Sequence, residues 1–134
     1  MKTRKRLWMK LRLSALLLIA GSFYVHAQDL AGIWLTKDGI SKIEIYKAKD
    51  GLYYGKLIWT KDQSAEAKKF HGELILTGLN KESDKEYQGK AHDPEQDKTY
   101  SCTIKVKDIN HLDLRGYIGI SIIGRTERWI RVSR

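Results

Sequence analysis

The sequence predicts an all-β domain: one antiparallel up-and-down barrel of about eight strands, with a two-layer β-sandwich of the same strands as the alternative. Three observations predict it. Beyond the first 27 residues, apolar and polar side chains alternate with period two in run after run, the mark of strands with one wet and one buried face. Turn signals rich in Gly, Asp and Asn separate those runs, and no long helical pattern interrupts them. Finally, Gly32-Ile33-Trp34 near one end and Trp129-Ile130-Arg131 near the other read as an opening and a closing strand that meet. Such closure removes exposed sheet edges.

The elements follow in order. Lys2, Arg4, Lys5, Arg6, Lys10 and Arg12 precede an apolar run from Leu13 to Val25, and Val25-His26-Ala27 is a small-residue cleavage signal. This reads as a signal peptide over residues 1–27, cut before Gln28. The run is shorter than the roughly 18–20 residues of a spanning helix, so no transmembrane span is expected after cleavage. The domain is then residues 28–134, periplasmic or secreted. The whole-chain charge of +9 shrinks with the leader: 19 basic residues stand against 16 acidic ones, a net of +3. A nucleic-acid partner inferred from the basic pI would rest on the removed segment.

Residues 30–36 form a first strand, closed by the turn Lys37-Asp38-Gly39. Residues 41–47 alternate cleanly, with Ile43 and Ile45 on one face. Asp50-Gly51 marks a tight hairpin into residues 52–60, rich in aromatic and branched side chains. Alternation puts Tyr53 and Trp59 on one face there and Tyr54 on the other. Residues 61–70 break the pattern; Ser64 caps a turn or two of helix that is placed to cover an open end of the sheet. A short strand at 73–77, a polar turn at 80–84, and a weak strand at 85–91 with a bulge at Gly89 come next. Residues 92–98, with Pro94, turn into the cleanest strand, 99–107. Asp108-Ile109-Asn110 leads to a strand over 111–118, and the last strand covers 126–132. Cys102 is the single cysteine; it lies on an apolar strand face and reads as a buried small hydrophobe, so no internal disulfide is available.

Gly32-x-Trp34 with Arg131 resembles the signature of the calycins, the lipocalin and fatty-acid-binding barrels. In those a tryptophan at the closed end lies against a basic side chain from the last strand. A wider set of segments resembles the uncharacterised bacterial family called domain of unknown function 2147. It comprises Gly32-x-Trp34, Ile43-Glu44-Ile45-Tyr46, Asp50-Gly51-x-Tyr53-Tyr54-Gly55-Lys56, Asp93-Pro94, Lys98-Thr99-Tyr100, and Leu114-Arg115-Gly116-Tyr117-Ile118-Gly119 through Gly124-Arg125-Thr126 to Trp129-Ile130-Arg131-Val132. The resemblance implies an exported envelope protein of a Gram-negative bacterium and carries no activity. Asp97 stands where the family pattern favours glycine, and residues 61–70 lack the family's proline-containing, Arg-rich loop.

Candidate site residues follow from these patterns. Arg115 and Tyr117 share a strand face and resemble the pair that holds a ligand carboxylate in fatty-acid-binding barrels. A guanidinium fork plus a phenol suits that role. The alternative is an outward pair, or Arg115 bonded to Glu127 across a hairpin. Tyr54 is a third candidate ligand contact. Gly32, Trp34, Trp129 and Arg131 are the candidate closure residues. Ile118-Gly119-Ile120-Ser121-Ile122-Ile123-Gly124 is too apolar for a solvated turn and reads as a core cap or as a contact for an envelope protein. His71, His92 and His111 sit in separate segments without metal-ligand spacing, and no cofactor motif is present. The expected protein is a non-catalytic binding module for a small apolar or amphipathic ligand. Its rival is a side-chain-filled barrel acting as an envelope structural or interaction module. Catalysis would require two or more of His71, His92, Asp93 and Glu127 to converge in one cleft.

Overall fold

A computed structural model describes residues 29–119 and 124–134. The expected signal segment and residues 120–123 of the apolar run lie outside the described residues. Eight strands close into a barrel in chain order, each antiparallel to the next. They are β1 (Gly32–Leu35), β2 (Ser41–Lys47), β3 (Tyr53–Thr60), β4 (Leu74–Ser83), β5 (Glu86–Asp93), β6 (Lys98–Asp108), β7 (His111–Tyr117) and β8 (Gly124–Ser133). The seam is the β1–β8 pairing, where Trp34 lies opposite Arg131 and Leu35 opposite Ile130. The barrel stands and the sandwich alternative falls.

Alternation sets the inward face of each strand. Trp34, Ile43, Ile45, Leu57, Tyr87, Cys102, Ile104, Val106, Leu112, Leu114 and Trp129 are buried and form one core. Their neighbours in sequence face out, as with Lys42, Glu44, Lys105 and Asp113. A β-strand of period two against a closed interior allows no other arrangement.

Four local expectations change. At Asp50-Gly51 the hairpin loop is longer than two residues, since Ala48 N–H donates to Leu52 O at 2.9 Å and Gly51 N–H to Ala48 O at 3.0 Å. Gly51 follows at φ 82°, the left-handed position of a three-residue hairpin. In β3, Leu57 pairs with Ile43 but Trp59 with Lys42, so Ile58 is extra and the strand bulges. The bulge turns Trp59 outward, away from the face of Tyr53, and Lys42 Nζ sits 4.9 Å from its ring centroid. In β4 the expected polar turn is strand as far as Ser83. Gly89 is not itself bulged: Gly78 and Leu79 on β4 bulge opposite it. A Cβ at Gly89 would lie 2.7 Å from Thr77 O, so the glycine permits the close strand approach.

Between β3 and β4, α1 (Ala65–Lys68) starts at Ser64, whose Oγ accepts from Ala67 N–H at 3.2 Å. The segment after it returns to the barrel through Gly72 N–H to Leu57 O and Leu57 N–H to Glu73 O. Phe70 then packs on the core. Asp97 in the β5–β6 turn has φ 50°, the left-handed region, which accounts for glycine at this place in the related pattern. No helix among the described residues is long and apolar enough to cross a membrane.

Candidate functional site

One end of the barrel is sealed. The Arg131 guanidinium lies 4.3 Å from the centre of the Trp34 ring. Its Nε donates to Ile109 O at 2.7 Å, and its two terminal nitrogens donate to Ala31 O and Asp29 O. Trp34 Nε1 in turn donates to Leu30 O at 3.0 Å. Burial draws the Arg131 pKa down, yet arginine remains a cation at any physiological pH. Gly32 sits beside this contact at φ 142°. A Cβ there would come within 2.5 Å of Arg131 Nη1 and 2.6 Å of Ser133 O, so only glycine fits. Gly32, Trp34 and Arg131 thus meet at the seam, and Trp129 is one inward position further along β8.

Above the seal the barrel is solid. Leu30, Trp34, Ile45, Leu79, Tyr87, Ile104, Val106 and Leu112 are each at most 3% exposed. Tyr53 meets Tyr87 edge-on at 5.4 Å and donates to Asp29 Oδ1 at 3.1 Å. Burial and that carboxylate push the Tyr53 phenol up to about 12. An eight-stranded barrel is just wide enough for side chains to fill or for one small ligand. Large rings take the first option at this end.

Among the described residues the other end is open. A cavity of about 360 Å³ lies among Ile43, Leu57, Phe70, Ile75, Leu114 and Trp129, with Tyr100, Asp93 and Glu127 on its walls. Ala67 and Phe70 of the α1 segment line it too, so the irregular excursion between β3 and β4 does border the barrel mouth. A second hollow of about 540 Å³ shares Asp93, Tyr100, Leu114 and Glu127 and extends to Tyr117, Gly124 and Arg125. Ligand pockets have such sizes and such mainly apolar walls.

The polar groups at the mouth differ in how they are satisfied. Thr36 Oγ1 and Ser41 Oγ bond each other at 3.0 Å. Thr60 Oγ1 donates to Asp62 O at 2.7 Å and lies 2.8 Å from His71 Nε2. With its proton on Asp62 O, that hydroxyl is an acceptor for the imidazole and not an activated nucleophile. Glu127 is different. It shares the inward phase of β8 with Trp129, and its Oε1 accepts from Trp129 Nε1 at 2.6 Å. Its other oxygen has no protein partner among the described residues.

Arg115 and Tyr54 stand elsewhere, and Tyr117 only edges the second hollow from the outer side of its strand. On β7 the buried residues are Leu112 and Leu114, so Arg115 and Tyr117 take the outward phase. Arg115 Nη1 donates to Thr126 Oγ1 at 2.8 Å across the hairpin, in an outer groove of about 340 Å³ with Gln88, Lys105 and Tyr117. Glu127 pairs with Leu114 in register and faces in, so the alternative Arg115–Glu127 bond spans opposite faces and is not made. Tyr54 also faces out; it donates to Asp50 Oδ2 and stacks on Tyr46 at 6.2 Å. That carboxylate raises the Tyr54 phenol and is itself lowered. The inward residues that sequence reasoning did not place at a ligand site are Tyr100 and Arg125, and Glu127 figures there only as an Arg115 partner or a candidate catalytic group. Counting back by two from Trp129 would have found Glu127 and Arg125.

Ile118 at the rim is 71% exposed, so the start of the apolar run does not cap the core. Cys102 is fully buried, and burial pushes its thiol up to about 11, which leaves it inert. His92, Asp93 and Glu127 do border one cavity. That is the convergence on which a catalytic reading would gain; within it the His92 ring bonds Thr99 at 3.0 Å and lies 3.4 Å from Asp97, and Asp93 Oδ1 accepts from Glu95 and Gln96 N–H. His111 is held by Asp108 at 2.8 Å. Among the described residues no group of three His, Cys, Asp or Glu could hold a metal.

Comparison with known proteins agrees with this architecture. A family profile described as "Uncharacterized protein conserved in bacteria (DUF2147)" matches residues 32–131. A solved structure, protein HP1028 from Helicobacter pylori, described as belonging to the lipocalin family, superposes with a TM-score of 0.65 at 24% sequence identity. The match covers 78% of this chain and 84% of that one, and at this identity it speaks for the fold alone. No curated protein sequence matches the chain.

Proposed function

The chain belongs to the bacterial DUF2147 family, and from that premise we propose that it is an exported, non-catalytic binding module for a small apolar or amphipathic ligand. The observation that carries the reading is the division of the barrel into a solid end under the Trp34–Arg131 seal and an open end with an apolar cavity of about 360 Å³. Phe70, Ile75, Tyr100 and Glu127, all only partly buried, border this cavity, and a concave, mainly apolar mouth of this size suits a small ligand. That mouth favours the ligand over the rival reading of a side-chain-filled envelope module. The lipocalin-like fold supports the same choice. Export rests on the basic and apolar pattern of residues 1–27, and the periplasm or the exterior follows from it.

Binding is tested by native mass spectrometry of the purified protein after incubation with a bacterial lipid extract. The expected result is one added small molecule, lost in Leu114→Trp, where an indole occupies the cavity. Protein that adds no mass from the extract, and whose Trp129 emission no apolar probe alters, overturns the proposal. Export is tested separately by the intact mass of protein recovered from a periplasmic fraction, expected to begin at Gln28. An N terminus at Met1 there overturns that part alone.

A further inference from the structure

The charge of the cavity runs against the charge of the protein. Residues 28–134 carry a net +3, yet the 360 Å³ cavity is lined by Asp93, Glu95 and Glu127 and, among the described residues, by no Lys or Arg. Asp93 Oδ1 accepts from Glu95 and Gln96 N–H in its own turn, where no aromatic donor orients it, and Glu95 is exposed at the rim. Glu127 alone projects among apolar walls, half-buried beside Leu114 and Trp129. The Trp129 indole takes one carboxylate oxygen, and the second has no protein partner among the described residues, on a side chain that lines the cavity. A carboxylate so placed prefers a charge-assisted donor over water as a ligand displaces solvent.

Resting on the reading of the open end as a ligand pocket, we infer that the ligand is a cationic amphiphile: an apolar body with an ammonium or comparable N–H donor that bonds Glu127. A fatty acid would bring a second anion to the same place, and like charges in a low-dielectric pocket repel. Arg125, also inward in phase, is exposed at the outer lip and borders the neighbouring hollow. It is therefore the group that an anionic ligand would have to use instead.

The test compares octylamine, octanol and octanoate, which share one apolar chain and differ in head group. Affinities are read by titration calorimetry at pH 7 and low salt, on the purified protein and on Glu127→Gln, which keeps an acceptor for the Trp129 indole. Octylamine is expected to bind about tenfold more tightly than octanol, with octanoate weakest. In Glu127→Gln the amine's advantage over octanol should fall to about threefold or less. If octanol binds and octylamine shows no advantage, or octanoate binds best, the head-group inference fails and the pocket reading survives. Should none of the three bind, both fall. The wild-type comparison decides even if the variant does not fold.

Discussion

Replacing Arg131 tests how much of the barrel's stability resides in its seam. The guanidinium reaches three backbone carbonyls and the face of Trp34 at 4.3 Å. A hydrogen bond to a charged group contributes about 1.5–3 kcal/mol. Only the Ala31 carbonyl is at a part-buried contact; at the two exposed contacts, to Asp29 and Ile109, water replaces the guanidinium, so about 0.5 kcal/mol each is a fair allowance. The cation over the indole adds about 1 kcal/mol at this partial burial. Arg131→Ala should therefore cost about 4 kcal/mol, a large share of the roughly 5–15 kcal/mol that holds a domain folded. Arg131→Met keeps the aliphatic stem and should lose about 3 kcal/mol, whereas Arg131→Lys keeps a charge and one bond and should lose about 2. Urea unfolding followed by tryptophan emission reads these losses. With a slope of about 2 kcal/mol per molar, the alanine midpoint drops by about 2 M. A drop under about 0.3 M for the alanine variant, or a lysine variant worse than methionine, would refute the reasoning.

Two further outcomes follow from local structure. Asp97→Gly relieves a left-handed φ of 50° at an exposed turn and should raise stability by up to about 1 kcal/mol, seen as a higher melting temperature; a lower one would mean that the Asp97 contact with His92 matters more. Cys102 has a thiol raised from 9.0 to about 11, so between those pH values the unfolded chain releases a proton that the folded one keeps, and stability must fall as pH rises. The difference between wild type and Cys102→Ala should shrink or grow only in that window, by about 2–3 kcal/mol across it, and a pH-independent difference would contradict the burial argument.

Much of this fold is legible in the sequence, because alternation and turn chemistry are local. β2 runs over Ser41–Lys47 and the Ser64 cap stands where the pattern puts them. The misread places have non-local causes. Trp59 changes face because β3 carries one residue more than β2, a matter of pairing that no single strand reveals. The end of β4 looked like a turn because Asn80, Lys81, Glu82 and Ser83 project past the core, so neither face has an apolar mark. Arg115 and Tyr117 were placed correctly on a common face, but resemblance pointed that face inward. The neighbouring Leu112 and Leu114, both buried, carried the better signal. Glu127 is named from the sequence but not as an inward ligand contact, because a carboxylate between Thr126 and Arg128 reads as surface until closure fixes which way β8 turns.

The contact between Arg131 and Ala31 spans 100 positions of the chain. Local hairpins from β2 to β7 can zip early, yet β1 has one free flank until β8 arrives. Joining such distant segments carries a high loop-closure entropy, and folds dominated by remote pairings assemble slowly. The ring is complete only when the first and last strands meet, so the lining contributed by Glu127 and Trp129 of β8 depends on a contact between the two ends of the domain.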